Sequence, residues 1–360
     1  MRPRLQEWLD ERLPLSDVIE TLRHKTVPHH RYSIWYYFGG MTLFLFGIQV
    51  GTGALLLLYY RPSAAEAYES VQFIVARVPF GWLVRSIHAW SANLMVASAC
   101  AHLFSVLFLH AYRRPRELTW MSGVLLLLLT LAFGFTGYLL PWNDVSFFAT
   151  RVGTDLAAAV PLMGRGLVRF LRGGDDVSGA TLTRLFGFHV AILPAMATGL
   201  VGLHLLLVQR HGMSVPPVIE QRAATDPRAV AAIPFLPHFL LRDLFAWTAV
   251  LALLAGLSTF YPWELGTKAD PFVPAPAGIR PEWYFLWAFE TLKHVPPTVA
   301  GINGELLAVA VMGAGAAATL LLPFLAGHTP RGRRVVLGLG ALALAFMAAM
   351  TGLALAGAAP

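Results

Sequence analysis

The chain has 360 residues, 56% of them hydrophobic and only 13% charged, with a mean hydropathy of +0.60. A soluble fold carries roughly 25% charged residues, so soluble, disordered and nucleic-acid-binding classes are excluded and the chain reads as an integral membrane protein. The net charge of +7 then reports loop charges that set topology, and a single cysteine, Cys100, excludes an internal disulfide framework and a cluster held by four cysteines.

In chain order, residues 1–31 mix acids and bases and predict an amphipathic interfacial helix with Trp8 and Leu9 as anchors. Seven stretches free of Asp, Glu, Lys and Arg follow, at 32–60, 86–112, 118–143, 185–209, 244–263, 306–330 and 335–360. Each reaches the ~20 residues that a membrane helix needs. The fold class is therefore all-α integral membrane, with seven transmembrane helices. Residues 229–241 are also uncharged, but Pro234 and Pro237 interrupt them, so they predict a surface segment. The connections 144–184 and 264–303 are too long for simple loops and mark functional regions.

Lys and Arg sort unevenly. Sixteen fall on the side of the N-terminus, Arg2 and Arg4 among them, and nine on the other. That bias predicts a cytoplasmic N-terminus and puts both long connections on the outer face. The expected location is the bacterial inner membrane, as a multi-pass protein.

Four histidines fall inside spans as two pairs. His88 and His102 are fourteen apart on the second span, and His189 and His204 fifteen apart on the fourth. These spans run in the same direction. Fourteen residues rise ~21 Å in nearly whole turns, so the members of each pair face one way at two depths. His88 then shares an outer depth with His189, and His102 an inner depth with His204. Two facing imidazoles at each depth suit a b-type haem with both axial positions filled, which passes electrons and binds no substrate at iron. Gly39 and Gly53 on the first span, and Gly123 and Gly137 on the third, repeat the fourteen-residue spacing. They predict places where a macrocycle presses on bare backbone, Gly39 and Gly123 inside, Gly53 and Gly137 outside. Arg85, one turn before His88, is placed for the outer haem's propionates, and Arg116, with Arg210 as a second choice, for the inner.

On these residues and on five strings the chain resembles cytochrome b of quinol-oxidising bc-type complexes. The strings are GWLVRSIH at 81–88, PRELTW at 115–120, GYLLPW at 137–142, TLTR at 181–184 leading into His189, and PEWY at 281–284. The likeness runs from about Trp8 to the seventh span. The fifteen-residue histidine spacing is similar to the chloroplast and Gram-positive branch, with its four-span cytochrome and three-span subunit IV fused in one chain.

The resemblance implies an interfacial segment at 1–31, a four-helix bundle holding two b-type haems at 32–210, a cytoplasmic linker at 211–240 and a three-helix part at 241–360. It implies a quinol:cytochrome c type reductase that oxidises quinol at the outer face and reduces quinone at the cytoplasmic face, contributing to proton-motive force. Glu282 is then the outer proton acceptor, Tyr284 and Tyr138 line its pocket, and Asp243 is the leading inner proton donor, ahead of Glu20, Lys25 and His211. Implied partners are a Rieske-type iron–sulfur protein, a c-type cytochrome, quinone, lipid and a second copy of the complex. That branch attaches a third haem through a Cys at the start of the first span. Tyr37 stands there in this chain, so no covalent third haem is expected. Two readings compete: a di-haem membrane anchor of a respiratory dehydrogenase, and a haem-free transporter with a histidine proton relay.

Overall fold

A computed structural model describes residues 7–357, apart from 14, 159, 161, 162, 277, 327 and 328. Arg2, Arg4 and the last three residues of the seventh predicted stretch lie outside the described residues. Among the described residues, six helices are long and apolar enough to cross a membrane: Ser33–Leu57, Gly81–Phe108, Glu117–Tyr138, Gly179–His211, Phe235–Phe260 and Pro330–Ala356. A seventeen-residue apolar helix, Gly304–Leu320, occupies the remaining predicted stretch. It stops short because Pro323 lacks a backbone N–H and opens a separate short helix, Leu322–Leu325.

Counting uncharged residues misplaced several helix starts. The second span begins at Gly81 and the fourth at Gly179, so Arg85 and Arg184 lie within helices. Both guanidiniums reach backbone carbonyls of other segments, Arg85 those of Trp263 and Glu264 in a loop and Arg184 that of Phe170 in the helix Gly164–Arg172, which satisfies them near the helix ends. Residues 229–241 are not one surface segment. Ala231–Pro234 is a strand, β2, paired antiparallel with β1, Thr26–His29, and Phe235 onward continues into the fifth span. Neither strand is foreseeable from a pattern of four residues. The predicted N-terminal helix is divided into a helical turn at 7–10 and a helix at Leu15–His24. Arg12 lies over the Trp8 ring, which is 52% exposed.

The first span packs on the second, and the third on the fourth. The fifth lies against the first and second, Gly304–Leu320 against the third, and Pro330–Ala356 against the second. Large apolar side chains such as Phe245, Phe260 and Leu339 face outward, as a bilayer requires and an aqueous surface would not favour. Polar caps set helix starts: Asn303 accepts from the Leu306 N–H at 2.9 Å and Thr329 from that of Gly332 at 3.1 Å. Such caps are each worth about 1 kcal/mol.

Both long connections are folded. Residues 144–184 form helices Asp144–Ala158 and Gly164–Arg172 before the fourth span. Buried Arg172 holds them together, donating to Asp155 at 2.7 Å and to Thr154 at 2.7 Å. Residues 264–303 contain the helix Trp283–His294 and a small hairpin. Leu139, Trp142, Phe147, Phe148, Leu182 and Leu185 form an apolar cluster beneath these segments. Backbone bonds from Asp144 to Thr267 and from Ala269 to Trp142 join the two connections.

Candidate cofactor and quinone sites

The second and fourth spans bring His88 and His189 face to face, with ring centroids 6.4 Å apart and planes at 72°. Their tautomers follow from the hydroxyls beside them. Thr52 Oγ1 lies 2.6 Å from the Ile48 carbonyl and 2.9 Å from His88 Nδ1. Its one proton goes to the carbonyl, so His88 Nδ1–H donates to Thr52 and Nε2 keeps a free lone pair. Thr136 repeats the arrangement, 2.8 Å from the Ala132 carbonyl and 3.1 Å from His189 Nδ1. So does Ser122, 2.9 Å from the Thr119 carbonyl and 2.9 Å from His204 Nδ1. His102 is the exception, because its Nδ1 is buried with no partner.

Each of the four glycines lies against one of the four histidines. A Cβ on Gly137 would lie 2.6 Å from His189 Cε1, and one on Gly53 3.3 Å from His88 Cε1. At the inner depth, Gly39 stands against His102 at 3.1 Å and Gly123 against His204 at 3.3 Å. The bare backbone therefore makes room for the imidazole rings rather than for a macrocycle alone.

These residues fit a six-coordinate metal in a macrocycle. Metal–imidazole bonds of about 2.0–2.1 Å, with about 1.1 Å from nitrogen to ring centre, would put the centroids roughly 6.3 Å apart. Among the described residues no cluster of three or more His, Cys, Asp or Glu could hold a metal alone. Two imidazoles at a site would hold a metal only where a macrocycle supplied the remaining donors, as a porphyrin does. The inner pair lines a cavity of about 530 Å³ that also reaches Gly39, Gly123, Arg116 and Asp243.

Neither predicted propionate partner is idle. Arg85 is buried and donates to the Trp263 and Glu264 carbonyls. Arg116 donates to the His211 carbonyl at 3.0 Å and the Gly212 carbonyl at 3.3 Å while lining the inner cavity. Arg210 is exposed.

At the outer end, Glu282 precedes the helix Trp283–His294 without capping it, which leaves its carboxyl free. Burial pushes that carboxyl above the ordinary carboxylate range. The Tyr284 phenol is pushed up by burial and then by the neighbouring Glu282 and Tyr138, so the three groups share one locale. Trp283 Nε1 donates to Asn93 Oδ1 at 2.8 Å, tying the helix start to the second span. Gly134, absent from the sequence reading, admits the Tyr284 hydroxyl, with which a Cβ there would collide.

At the inner end, a Cβ on Gly40 would lie 2.5 Å from Asp243 Oδ1, so Gly40 seats this side chain against the first span. Asp243 Oδ1 and His211 Nδ1 are buried in the cavity without partners. Lys25 lies at the cavity margin and donates to Gln209, and Glu20 pairs with His24 at the surface. Tyr37 stacks on Phe239, centroids 5.2 Å apart.

Sequence reading missed the hydroxyls, yet a signal was present. Thr52-Gly53, Ser122-Gly123 and Thr136-Gly137 each place one immediately before a histidine-facing glycine. Phe38-Gly39 does not, and Gly39 faces the histidine that lacks a partner.

Comparison with known proteins agrees with this architecture. The family model described as Cytochrome b/b6/petB matches residues 22–212, and that described as Cytochrome b(C-terminal)/b6/petD matches 268–360. A cytochrome bc complex cytochrome b subunit from Chlorobaculum thiosulfatiphilum is 48% identical over 325 residues, 90% of this chain and 74% of that protein. Cytochrome b6 from Synechococcus sp. (strain JA-3-3Ab) is 43% identical over 213 residues, 59% of this chain and 99% of that protein. A solved chain described as hyperthermophilic respiratory Complex III superposes with a TM-score of 0.80 at 30% identity, covering 97% of this chain and 98% of its own. With its helical membrane fold and paired histidines, the chain belongs to the cytochrome b/b6 family, as the cytochrome b subunit of a bc- or b6f-type electron-transport complex.

Proposed function

We propose that this subunit oxidises quinol at the outer face and reduces quinone at the cytoplasmic face of a quinol:c-type acceptor oxidoreductase. The carrying observation is the pairing of His88 with His189, their ring centroids 6.4 Å apart, with Nε2 left free by Thr52 and Thr136. His102 and His204 would hold a second haem at the inner depth. When bound, the two haems supply electron transfer across the membrane.

The side chains do the rest. Glu282 accepts a proton from quinol, because a carboxyl raised by burial lies nearer the pH at which a base must exchange protons. Tyr284 and Tyr138 orient the ring oxygen beside it. Asp243 returns a proton to quinone at the inner face, and Arg85 and Arg116 lie at the margins suited to haem propionates. Charge movement across the membrane potential stores about 2.3 kcal/mol per 100 mV, the basis for a contribution to proton-motive force.

In this reading Gly304–Leu320 crosses the membrane as a sixth of seven spans, the N-terminus is cytoplasmic, and the membrane is a bacterial inner membrane. The chain divides at 1–31, 32–210, 211–240 and 241–360. A Rieske-type iron–sulfur protein and a c-type cytochrome take electrons outside, in a dimeric complex with bound lipid. Family membership removes the grounds for the dehydrogenase anchor and the transporter. A reduced-minus-oxidised spectrum of the purified complex tests the proposal: two b-type bands are expected, and their absence would overturn it.

A further inference from the structure

We propose that Trp247 donates its indole N–H to the ring oxygen of a quinone bound beside Asp243, and so positions the substrate that Asp243 protonates. The inference rests on the reading of the inner cavity as a quinone site and names a further residue for it.

Three observations converge. Trp247 lines the same cavity as Asp243, and its Nε1 is buried with no hydrogen-bond partner. Buried donors are nearly always paired, so an orphan one on a residue that lines a cavity points to an occupant that accepts. Trp247 also lies four residues after Asp243 on the Leu240–Phe260 helix. That spacing puts both side chains on one face. Finally, its ring stacks on Phe44, centroids 5.2 Å apart and planes at 13°, which fixes the indole before any ligand arrives.

The chemistry of the two groups divides the work. Indole N–H is donor-only and does not titrate, so it holds an oxygen without exchanging protons. Asp243 Oδ1, seated against Gly40, is the group able to give one up. A quinone carbonyl offers two lone pairs and can receive both. An apolar tail alone would leave Trp247 Nε1 and Asp243 Oδ1 unsatisfied, and a ligand bearing only donors would leave Trp247 Nε1 so.

Infrared difference spectra of the complex loaded with a short-chain quinone, carbonyl carbons labelled with ¹³C, test the assignment. The outer site is blocked by an outer-site inhibitor, and quinone Kd is measured in parallel. In Trp247→Phe one carbonyl band should move to higher frequency and Kd should rise about three- to tenfold, the effect of losing one neutral hydrogen bond. Trp247→His, which restores a ring N–H, should bring the band partly back. Bands and Kd unchanged in Trp247→Phe, with quinone still bound, would overturn the role of Trp247 and leave the inner site standing. No quinone-dependent band in the unmodified complex would overturn the inner-site reading and this proposal together. Should Trp247→Phe fail to accumulate, Trp247→Leu, which also removes the N–H, and Phe44→Leu, which loosens the stack, report on the same band. Neither moving it would also overturn the proposal.

Discussion

The two ends of the bundle repeat one plan and finish it differently. At the outer end both imidazoles donate to a threonine, the nearby arginine is sealed against loop carbonyls, and an apolar cluster underlies the folded connections. At the inner end only His204 has a hydroxyl partner, and His102 has none. A cavity of about 530 Å³ opens from the inner histidines to Asp243 and Trp247. The inner cavity runs on from the histidines to Asp243 and Trp247, so the same paired-imidazole geometry there adjoins polar groups that the outer pair does not have in its surroundings of threonines and loop carbonyls.

Breaking one end alone is the sharpest test of this contrast. His88→Leu should remove the outer b-type absorbance completely and leave inner absorbance largely in place. Equal loss at both depths would mean that the two pairs are not independent. Gly137→Val should nearly match it, because a side chain there overlaps His189, whereas Gly123→Ala, with its Cβ at 3.3 Å from His204, should cost the inner band much less. Absorbance of each b-type component in purified complex measures both.

Glu282→Gln should slow quinol oxidation about 10²-fold, in line with loss of a general base, with both haem bands normal. The sign of its pH dependence follows from the raised pKa. The carboxyl must be ionised to accept a proton, so the rate falls as pH drops through a value above the usual carboxylate range. The glutamine variant should lose that acidic limb, which stopped-flow reduction across pH would reveal. The smallest change is expected from Thr52→Val. It deprives His88 Nδ1 of its acceptor and should weaken outer haem retention about tenfold. His102 Nδ1 has no such partner, so the matching change has no counterpart at that residue.

Much of this was legible in the sequence because the bilayer imposes it. Uncharged stretches must be helices where no water can pair the backbone, and a fourteen-residue spacing on a helix puts His88 and His102 on one face. The helix starts were less legible. Arg85 and Arg184 immediately precede uncharged stretches yet lie in helices, since backbone carbonyls of other segments satisfy them. Trp247 was invisible for a related reason. A tryptophan four residues after an aspartate reads as apolar packing until the cavity beside it and its unpaired nitrogen are known. Phe38, where the other three glycines are preceded by Thr or Ser, is informative only after the partners of the histidines are known.

The β1–β2 pairing has a consequence for how the chain can be divided. It joins residues 26–29 to 231–234, closing a loop of about two hundred residues that contains the whole histidine bundle. A cut within the exposed stretch at 224–228 would leave one strand on each fragment, and the fifth span would still rest on the first and second. Covalent continuity at that point is therefore redundant with non-covalent attachment. One polypeptide or two would assemble the same membrane body, and the two matching family models, at 22–212 and 268–360, fall on either side of that cut.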